Sequence, residues 1–504
     1  MLQQIEPFVG PEINWFALSP MLTLLVGTLV LMLAGALTPQ WPKGLYAFAT
    51  ATIAGAAGVL AMVQWDDITD NGTRTLVAGV IAFDTLSMFI TITICIGVIL
   101  VAMLSDDYLR GTPNDGPEVY ALYMVAAIGG IVMASANDLI VLFLGLETLS
   151  LALYVLASSN RRSNESAESG IKYFVLGGFA SAFFLYGIAL VYGATGTTNI
   201  SEMVAALQGG VDPFGNESLA LAGIALLIVG LGFKVAAVPF HVWAPDVYQG
   251  APTPVTAFMA SVGKVAAFAA MLRVLVIGLP FYRDDWRPII WVLALLSLVV
   301  GSVLAVVQTN VKRMLAYSSI SHAGFILVGV EAAAHGAGEA DPGPGMPAVV
   351  LYLLLYSVLV IGSFAVVTVV SRNSGGDTGL DSFKGLARRR PTLALAFTVF
   401  LLAQAGVPLT TGFIAKFGVI QAAVEVDSYA IAIIAMVSAV IAAFLYLRIM
   451  VAMWTADPVE EAAPVRIPYA TGVVIVAAVA FTIVVGIVPG WLIDAADTVT
   501  LYAR

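Results

Sequence analysis

Long apolar segments alternate with short polar segments along nearly the whole chain. Most of the apolar segments are close to the ~20 residues that cross ~30 Å of hydrocarbon as an α-helix. The strict polar-apolar alternation of a membrane β-barrel is absent. We therefore predict an all-α integral membrane fold with about fourteen transmembrane helices, at residues 16–37, 44–64, 77–104, 119–136, 138–157, 169–193, 218–238, 252–279, 289–308, 313–331, 347–371, 392–424, 428–454 and 468–490.

Two of these predicted helices are interrupted. The seventh runs into GFKVAAVPFHVWAPDVYQGAPTP, where Pro239 cannot donate a hydrogen bond to the carbonyl of Val235. The twelfth would be ~50 Å long if straight, and QAGVPLTTGF (404–413) lies in its middle. Broken helices at membrane depth line cavities or are buried in protein, and they usually mark a transport site.

The two breaks also suggest an internal repeat. Spans four to eight and nine to thirteen can be taken as two five-helix units in which the broken helix is the fourth member. Because five is an odd number, the second unit must enter the membrane upside-down relative to the first. We therefore expect an N-terminal three-span segment, a first repeat, a second repeat and a C-terminal span, at residues 1–118, 119–279, 289–454 and 455–504.

The few charges exclude several classes of protein. Only 11% of the residues are charged and the formal net charge is −10, whereas an ordinary soluble domain has about 25% charged residues. A soluble protein and a nucleic-acid-binding protein are therefore excluded. One cysteine, Cys95, cannot form an internal disulfide or a cysteine-ligated metal site. Phosphate-binding loops and dinucleotide fingerprints are also missing, so we expect no cofactor and no metal in this chain.

Loop cations predict the orientation, because positive charge is retained on the inside. If both termini lie outside, the inside loops hold Lys43, Arg110, Arg161, Arg162, Lys312, Arg313, Arg372, Lys384, Arg388, Arg389, Arg390 and Arg466. The outside segments then hold Arg74, Arg283, Arg287 and Arg504. We therefore expect a multi-pass protein with both termini on the outside face. The start of the chain lacks the basic region of a signal sequence, so we expect no removable targeting peptide.

Four charges fall near the middle of predicted spans: Glu147, Lys234, Lys264 and Lys416. Each costs at least ~2.5–3.5 kcal/mol at the bilayer centre, so each requires a function or a partner. Lys234 and Lys416 stand beside the two breaks, where unwound carbonyls can solvate an ammonium. For Glu147 a structural ion pair or a protonated carboxyl is the alternative to a role in proton transfer.

Three further cations lie in apolar segments. Lys172 is only a few residues into its span. Its side chain could reach the inside surface or take part in proton transfer with the four central charges, and the two interpretations are equally good. Arg273 and Arg448 lie closer to span ends, and we interpret both as structural.

Histidines add a second set of candidates. His322, in YSSISHAGF, could bridge Lys264 and Lys416 because imidazole shuttles protons near neutral pH. A packing histidine is an equally good interpretation. His241 follows the first break and could serve proton uptake, whereas His335 is expected to be solvated.

Lysine is suited to carry protons within a membrane. Desolvation and a neighbouring carboxylate act on its protonation in opposite directions. A unit pair at 4 Å interacts by ~4 kcal/mol at an effective dielectric of ~20, so a small movement of a glutamate can switch a lysine between holding and releasing a proton. The series Glu147, Lys234, Lys264 and Lys416 therefore predicts a proton relay.

These features together resemble the antiporter-like membrane subunits of respiratory complex I, the proton-pumping NADH:quinone oxidoreductase. The most specific stretches are LFLGLETLSLALYVL, GFKVAAVPFHVWAPDVYQGAPTPVTAFMASVGKVA, KRMLAYSSISHAGF and GVPLTTGFIAKF. The resemblance implies that Glu147 pairs with Lys234 at the first break, that Lys264 links two half-channels, and that Lys416 is the charged residue of the second break. Lys172 adds to the match.

The resemblance also implies the setting. FMN, iron–sulfur clusters and quinone would belong to partner subunits, with membrane subunits K and M as expected neighbours in a bacterial plasma membrane. A subunit of a multi-subunit sodium/proton antiporter is the main alternative, since it shares the fold and most motifs. A structural scaffold within a membrane complex is a third hypothesis, which predicts that replacing Lys416 by Met leaves pumping unchanged.

Overall fold

The computed structural model describes residues 13–38, 41–42, 44–110, 112, 115–208, 217–339, 343–457 and 465–499. Twenty α-helices lie within these ranges. They are α1 (Ser19–Leu37), α2 (Leu45–Asn71), α3 (Thr85–Leu109), α4 (Pro117–Ser135), α5 (Leu139–Ala157), α6 (Asn164–Thr195), α7 (Ile200–Gln208), α8 (Glu217–Val235), α9 (Trp243–Gly250), α10 (Thr253–Phe258), α11 (Lys264–Met271), α12 (Arg283–Val306), α13 (Val311–His335), α14 (Gly345–Asn373), α15 (Leu386–Arg389), α16 (Pro391–Ala405), α17 (Thr411–Glu425), α18 (Tyr429–Thr455), α19 (Tyr469–Ile487) and α20 (Gly490–Asp497).

Thirteen helical segments in the described ranges are long and apolar enough to cross a membrane. They match the predicted spans in order, apart from the twelfth, which is divided into α16 and α17. The span at 253–277 combines α10 and α11 with two π-helical stretches, Met259–Gly263 and Leu272–Ile277. The predicted all-α membrane fold is confirmed.

The third span begins later than predicted. Residues 77–83 form the turn and second strand of a hairpin, in which β1 (Arg74–Leu76) pairs antiparallel with β2 (Ile81–Phe83). Helix α3 starts only after Asp84, whose carboxylate accepts a hydrogen bond from the Ser87 backbone N–H at 2.8 Å. An N-cap aspartate fixes a helix start in this way, and apolarity alone does not reveal it.

Both predicted breaks are confirmed. Helix α8 ends at Val235, and Ala236 then adopts φ +59 before the chain turns into α9. Helix α16 ends at Gly406 with φ +93, a left-handed conformation that glycine adopts without steric cost. The hydroxyl of Thr410 then caps α17 by accepting from the Phe413 backbone N–H at 3.4 Å.

The centre of the bundle is formed by α13, α14 and the span at 253–277, whose apolar windows are fully buried. Helices α1, α2, α18 and α19 lie towards the periphery and expose rows of large apolar side chains. Several corresponding helix pairs of the two predicted repeats are in contact: α4 with α5 and α12 with α13, α5 with α6 and α13 with α14, α6 with α9 and α14 with α17. The buried centre therefore holds the helices that carry Lys264 and His322.

Some predictions fall partly on undescribed residues. Lys43 and Arg504, two of the predicted loop and tail cations, lie outside the described ranges. The beginning of segment 1–118 and the end of segment 455–504 also lie outside them. Lys312 was predicted as a loop cation, and this is wrong because its side chain is buried at the start of α13.

Candidate functional site

The three predicted relay lysines are buried, with exposed fractions of 7% for Lys234, 2% for Lys264 and 5% for Lys416. Among the described residues, no carboxylate lies within 4.0 Å of any of these ammonium groups. Glu147 is half-buried on α5 and accepts a hydrogen bond from the Ser181 hydroxyl of α6. The sequence therefore identified the buried charges, but their partners are mostly dipoles rather than ions.

Lys234 occupies the last turn of α8, just before the first break. Its Nζ has no hydrogen-bond partner within the described part of the chain. It lies 5.5 Å from the ring centre of Tyr154 and 5.4 Å from that of Tyr173, in cation–π contacts. Glu147 and Lys234 form no direct ion pair within the described residues, and the pairing implied by the resemblance stays a prediction.

Lys264 follows directly on the π-helical turn Met259–Gly263. Its Nζ donates a hydrogen bond to the backbone carbonyl of Ser319 on α13. π-Helical turns occur frequently at functional sites because they shift side chains out of the regular α-helical register. The turn was not predicted from the sequence, since nothing in the apolar pattern distinguishes it from regular helix.

Lys416 lies on α17 and reaches back across the second break. Its Nζ donates to the carbonyl of Gln404 at 2.7 Å and to that of Ala405 at 3.2 Å, both at the end of α16. The ring of Phe325 on α13 lies 4.8 Å away. The carbonyls freed by the second break therefore solvate the Lys416 ammonium, and this explains how a charge is tolerated at this position. The same solvation by carbonyls was expected of Lys234 at the first break, and there it is wrong, since no described group accepts a hydrogen bond from that Nζ.

His322 stands at the centre of a buried polar network. Its Nδ1 lies 2.6 Å from the hydroxyl of Tyr352 and its Nε2 3.5 Å from that of Tyr446. The Tyr446 hydroxyl is 2.6 Å from Ser318 Oγ, which donates to Gln404 Oε1 at 3.2 Å. Gln404 is the residue whose backbone carbonyl holds Lys416, so a chain of polar atoms leads from the imidazole to the second break.

Lys172 and His241 lie away from this network. Lys172 is half-exposed and forms ion pairs with Glu168 at 2.6 Å and Asp246 at 2.7 Å. Asp246 is also paired with Arg313 at 2.6 Å. His241 is partly buried in the turn after the first break, and its Nδ1 has no partner among the described residues.

Arg273 and Arg448 have the structural contacts that were expected of them. Arg273 forms a bidentate pair with Asp84, at 2.6 and 2.7 Å, and its Nε donates to the carbonyl of Ala134. Both members of the pair are almost fully buried. Arg448 donates to the carbonyls of Val306 and Gln308 at 2.8 and 2.9 Å, and so fastens α18 to the end of α12.

Sequence reasoning missed Lys312 as a buried charge. Its Nζ donates to the carbonyl of Ala251 at 2.6 Å, beside a cavity of about 870 Å³. We call the end of the bundle at this cavity the basic end, since Arg110, Arg162 and Arg372 also line it. Hydrogen bonds from Ser382 and the Gly379 N–H hold the pKa of Asp377, in a loop at this cavity, below its ordinary value.

Glu331 was missed as well. It lies on α13, nine residues beyond His322, and its side chain is 4% exposed. The apolar window that ended at residue 331 hid it, because a glutamate at a span end is ordinarily solvated. His335, predicted to be solvated, is half-buried 3.3 Å from this carboxylate.

These observations define a class: a helical membrane protein with two broken helices, in which lysines and a polar network are buried beside the breaks, as in the ion sites of transporters. Residues 136–442 match the family described as "NADH:quinone oxidoreductase/Mrp antiporter, TM". The chain is 39% identical to the NADH-quinone oxidoreductase subunit N of Rhodococcus opacus, an alignment that covers 100% of this chain and 99% of that protein. The chain therefore belongs to this family and, within it, to the subunit N proteins of NADH-quinone oxidoreductase.

Solved structures support the same assignment. A chain of respiratory complex I from Thermus thermophilus with bound aureothin has a TM-score of 0.78 and 32% identity, covering 95% of this chain and 100% of that one. A chain of the Mrp complex from a Dietzia species has a TM-score of 0.83 at 22% identity, with 96% of each chain covered. This second likeness is one of fold alone. The resemblance noted from the sequence motifs is confirmed.

Proposed function

We propose that this subunit moves protons across the membrane arm of its NADH:quinone oxidoreductase through a relay of Glu147, Lys234, Lys264 and Lys416, with His322 between the last two. The observation that carries the proposal is the arrangement of the ammonium groups. They are buried and held by carbonyls and aromatic rings, not by carboxylates. A cation that is not locked in an ion pair can lose its proton without leaving a buried carboxylate uncompensated.

Helix α13 supports a route through the second half of the relay. It supplies the carbonyl that holds Lys264, and one turn further on it carries His322. The network of Tyr446, Ser318 and Gln404 then leads to Lys416. Imidazole can accept a proton at one nitrogen and donate at the other, so His322 is suited to connect two carriers.

Glu147 is the modulator in this proposal. Its carboxylate accepts a hydrogen bond from the Ser181 hydroxyl and is not paired with a described cation. A shift of the carboxylate from the hydroxyl towards the ammonium would stabilise the proton on Lys234, and the reverse shift would release it. Quinone reduction in partner subunits would drive this shift, whereas FMN, iron–sulfur clusters and quinone are held outside this chain.

Lys172 has a different place in the proposal. Its ion pairs with Glu168 and Asp246 lie by a cavity that Arg313 also lines. We infer that this group and His241 serve proton uptake on the inside, before the proton reaches Lys234. The basic end is then the inside, both termini face outside in a bacterial plasma membrane, and subunits K and M are the neighbours in the membrane arm.

The two five-helix units remain part of the proposal. Several equivalent helix pairs are in contact in segments 119–279 and 289–454, and the break falls in the fourth member of each unit, which supports the proposal. A pseudo-twofold relation of this kind would place Lys234 and Lys416 at equivalent positions on two half-channels. Segments 1–118 and 455–504 would then be additions to this core.

The test uses the purified whole complex in proteoliposomes with the substitution Lys416→Met. We expect assembly and quinone reduction to continue with fewer protons translocated per electron. Lys384→Met is the matched control, because Lys384 is a surface lysine paired with Asp381. A wild-type ratio of protons to electrons in Lys416→Met would contradict the proposal and favour the scaffold hypothesis.

A sodium/proton antiporter subunit is the second candidate, supported by the family match that includes Mrp antiporters. Purification separates the two. Flavin and iron–sulfur signals that co-purify with this chain support the oxidoreductase, whereas sodium-dependent transport in their absence supports the antiporter.

A further inference from the structure

A second cavity lies at the end of the bundle opposite the basic end. It has a volume of about 510 Å³, and its lining includes Arg287, Trp291, Glu331, His335, Asp427 and Ser428. Helix α13 joins the two cavities, since Lys312 near its start lines the first and His335 at its end lines the second. Twenty-five residues of α-helix span ~37 Å, which is enough to cross the hydrocarbon core.

Glu331 is the buried charge of this second cavity. Its Oε1 accepts a hydrogen bond from Ser428 Oγ at 3.0 Å and lies 3.3 Å from His335 Nε2. Its Oε2 is buried without a partner among the described residues. A buried carboxylate oxygen without a donor is costly, and neither the fold nor the relay described above accounts for it.

Polar side chains lie between Glu331 and the surface of the protein. His335 is 28% exposed, and both of its ring nitrogens lie close to Arg287 Nη1, at 3.1 and 3.2 Å. Asp427 lines the same cavity from the turn after α17, with its carboxylate accepting from the Tyr429 hydroxyl. Farther out, Arg283 contacts Glu339 at 3.3 Å. The Glu331 carboxylate is thus buried at the inner end of the cavity, and the His335 imidazole lies between this carboxylate and the surface.

Lys416 contacts α13 at a point closer to the helix start than Glu331 is. The ring beneath its ammonium is that of Phe325, and Glu331 is six residues further along the same helix. Six residues correspond to ~9 Å of axial rise, so a proton that passes from Lys416 to Glu331 needs intervening water.

We propose that Glu331 is the proton-release group of the relay and that His335 passes its proton to the outside. In this step the Lys416 ammonium loses one proton through intervening water, and the Glu331 carboxylate becomes a carboxylic acid. The acid then gives the proton to His335 Nε2, and the imidazolium releases a proton to external water, which restores both groups. The inference rests on the proposed function, since Lys416 must carry protons for Glu331 to receive them.

The experiment compares whole complexes in proteoliposomes that carry Glu331→Gln, Glu331→Asp, Lys416→Met or Glu425→Gln. Glu425 is the matched control, because it is exposed at the end of α17 near the same cavity and accepts only from Gln421 among the described residues. Glu331→Gln is expected to lower the ratio of protons to electrons by the same fraction as Lys416→Met. Glu331→Asp should restore most of the ratio, and Glu425→Gln should leave it unchanged.

A spectroscopic readout separates proton release from a packing role. An infrared difference spectrum between two external pH values should contain a carboxylic acid C=O band that is missing in Glu331→Gln. If Glu331→Gln does not assemble, His335→Gln replaces it, since that side chain reaches the surface, and a lowered ratio is again expected.

The outcomes distinguish this proposal from the one on which it rests. If Lys416→Met loses pumping but Glu331→Gln keeps a normal ratio of protons to electrons, the proposed release site is overturned. If Glu331→Gln does not assemble, a normal ratio in His335→Gln has the same meaning. A normal ratio in Lys416→Met overturns the proposed relay itself.

Discussion

The Nζ atom of Lys416 donates a hydrogen bond to the backbone carbonyl of Gln404 at 2.7 Å, across the second helix break. Gln404 also binds through its side chain, accepting from Ser318 Oγ at 3.2 Å and donating to Ser363 Oγ at 2.6 Å. One residue therefore joins the ammonium to the polar network that reaches His322. The backbone carbonyl of Gln404 binds the Lys416 ammonium, and the side chain of Gln404 connects this site to Ser318.

The substitution Gln404→Leu should separate these two roles. The carbonyl that holds Lys416 is retained, so the subunit should still assemble, while the connection to Ser318 is lost. We expect fewer protons per electron at a nearly normal initial rate of quinone reduction. Ser318 keeps its contact with Tyr446 and Ser363 its bond to the Leu359 carbonyl, so each lost hydrogen bond should cost about 0.5–1.5 kcal/mol of stability, measurable as a lower thermal midpoint of the complex. An unchanged ratio of protons to electrons would exclude Gln404 from the path.

The hydroxyl of Tyr446 is a second point at which the network can be cut. It lies 2.6 Å from Ser318 and 3.5 Å from His322. Tyr446→Phe keeps the ring and removes the oxygen, so proton pumping should fall while assembly is retained. Tyr429→Phe is the control, because its exposed hydroxyl contacts Asp427 outside the network. Equal pumping by both variants would count against transfer through Tyr446.

The pair of Arg273 and Asp84 should behave as a structural element. Both side chains are buried, with exposed fractions of 2% and 0%. Removing one partner of a buried pair leaves an uncompensated charge and costs about 3–5 kcal/mol. Asp84→Asn is therefore expected to lower assembly and thermal stability strongly, whereas the double variant Asp84→Asn, Arg273→Met should recover much of the loss. Native gels and thermal unfolding of detergent-solubilised complex measure this, and a double variant no better than the single one would contradict it.

The sequence predicted the spans and the breaks because both depend on local chemistry. Apolar length determines a membrane helix, and the segments around Pro239 and Gly406 carry residues that end one. The burial of Lys234, Lys264 and Lys416 followed from their depth in the spans. These were also the residues of the motifs that indicated the family.

What the sequence could not predict depends on tertiary contacts. The π-helical turn before Lys264 has an ordinary apolar sequence, and the partnership of Asp84 with Arg273 joins residues far apart in the chain. Lys312 and Glu331 stand at span ends, where a charge is usually solvated, and only the packing around them buries both. The hairpin before α3 was missed because its residues are as apolar as a helix.

The central claim is that protons cross this subunit by way of buried lysines, and Lys264 tests it most directly. Its ammonium is 2% exposed and bound to the Ser319 carbonyl, midway along the proposed relay. The measurement is the number of protons translocated per electron by proteoliposomes containing the Lys264→Met complex, with Lys384→Met beside it. We predict a lowered ratio in the first and a wild-type ratio in the second. A wild-type ratio in a fully assembled Lys264→Met complex would contradict the account.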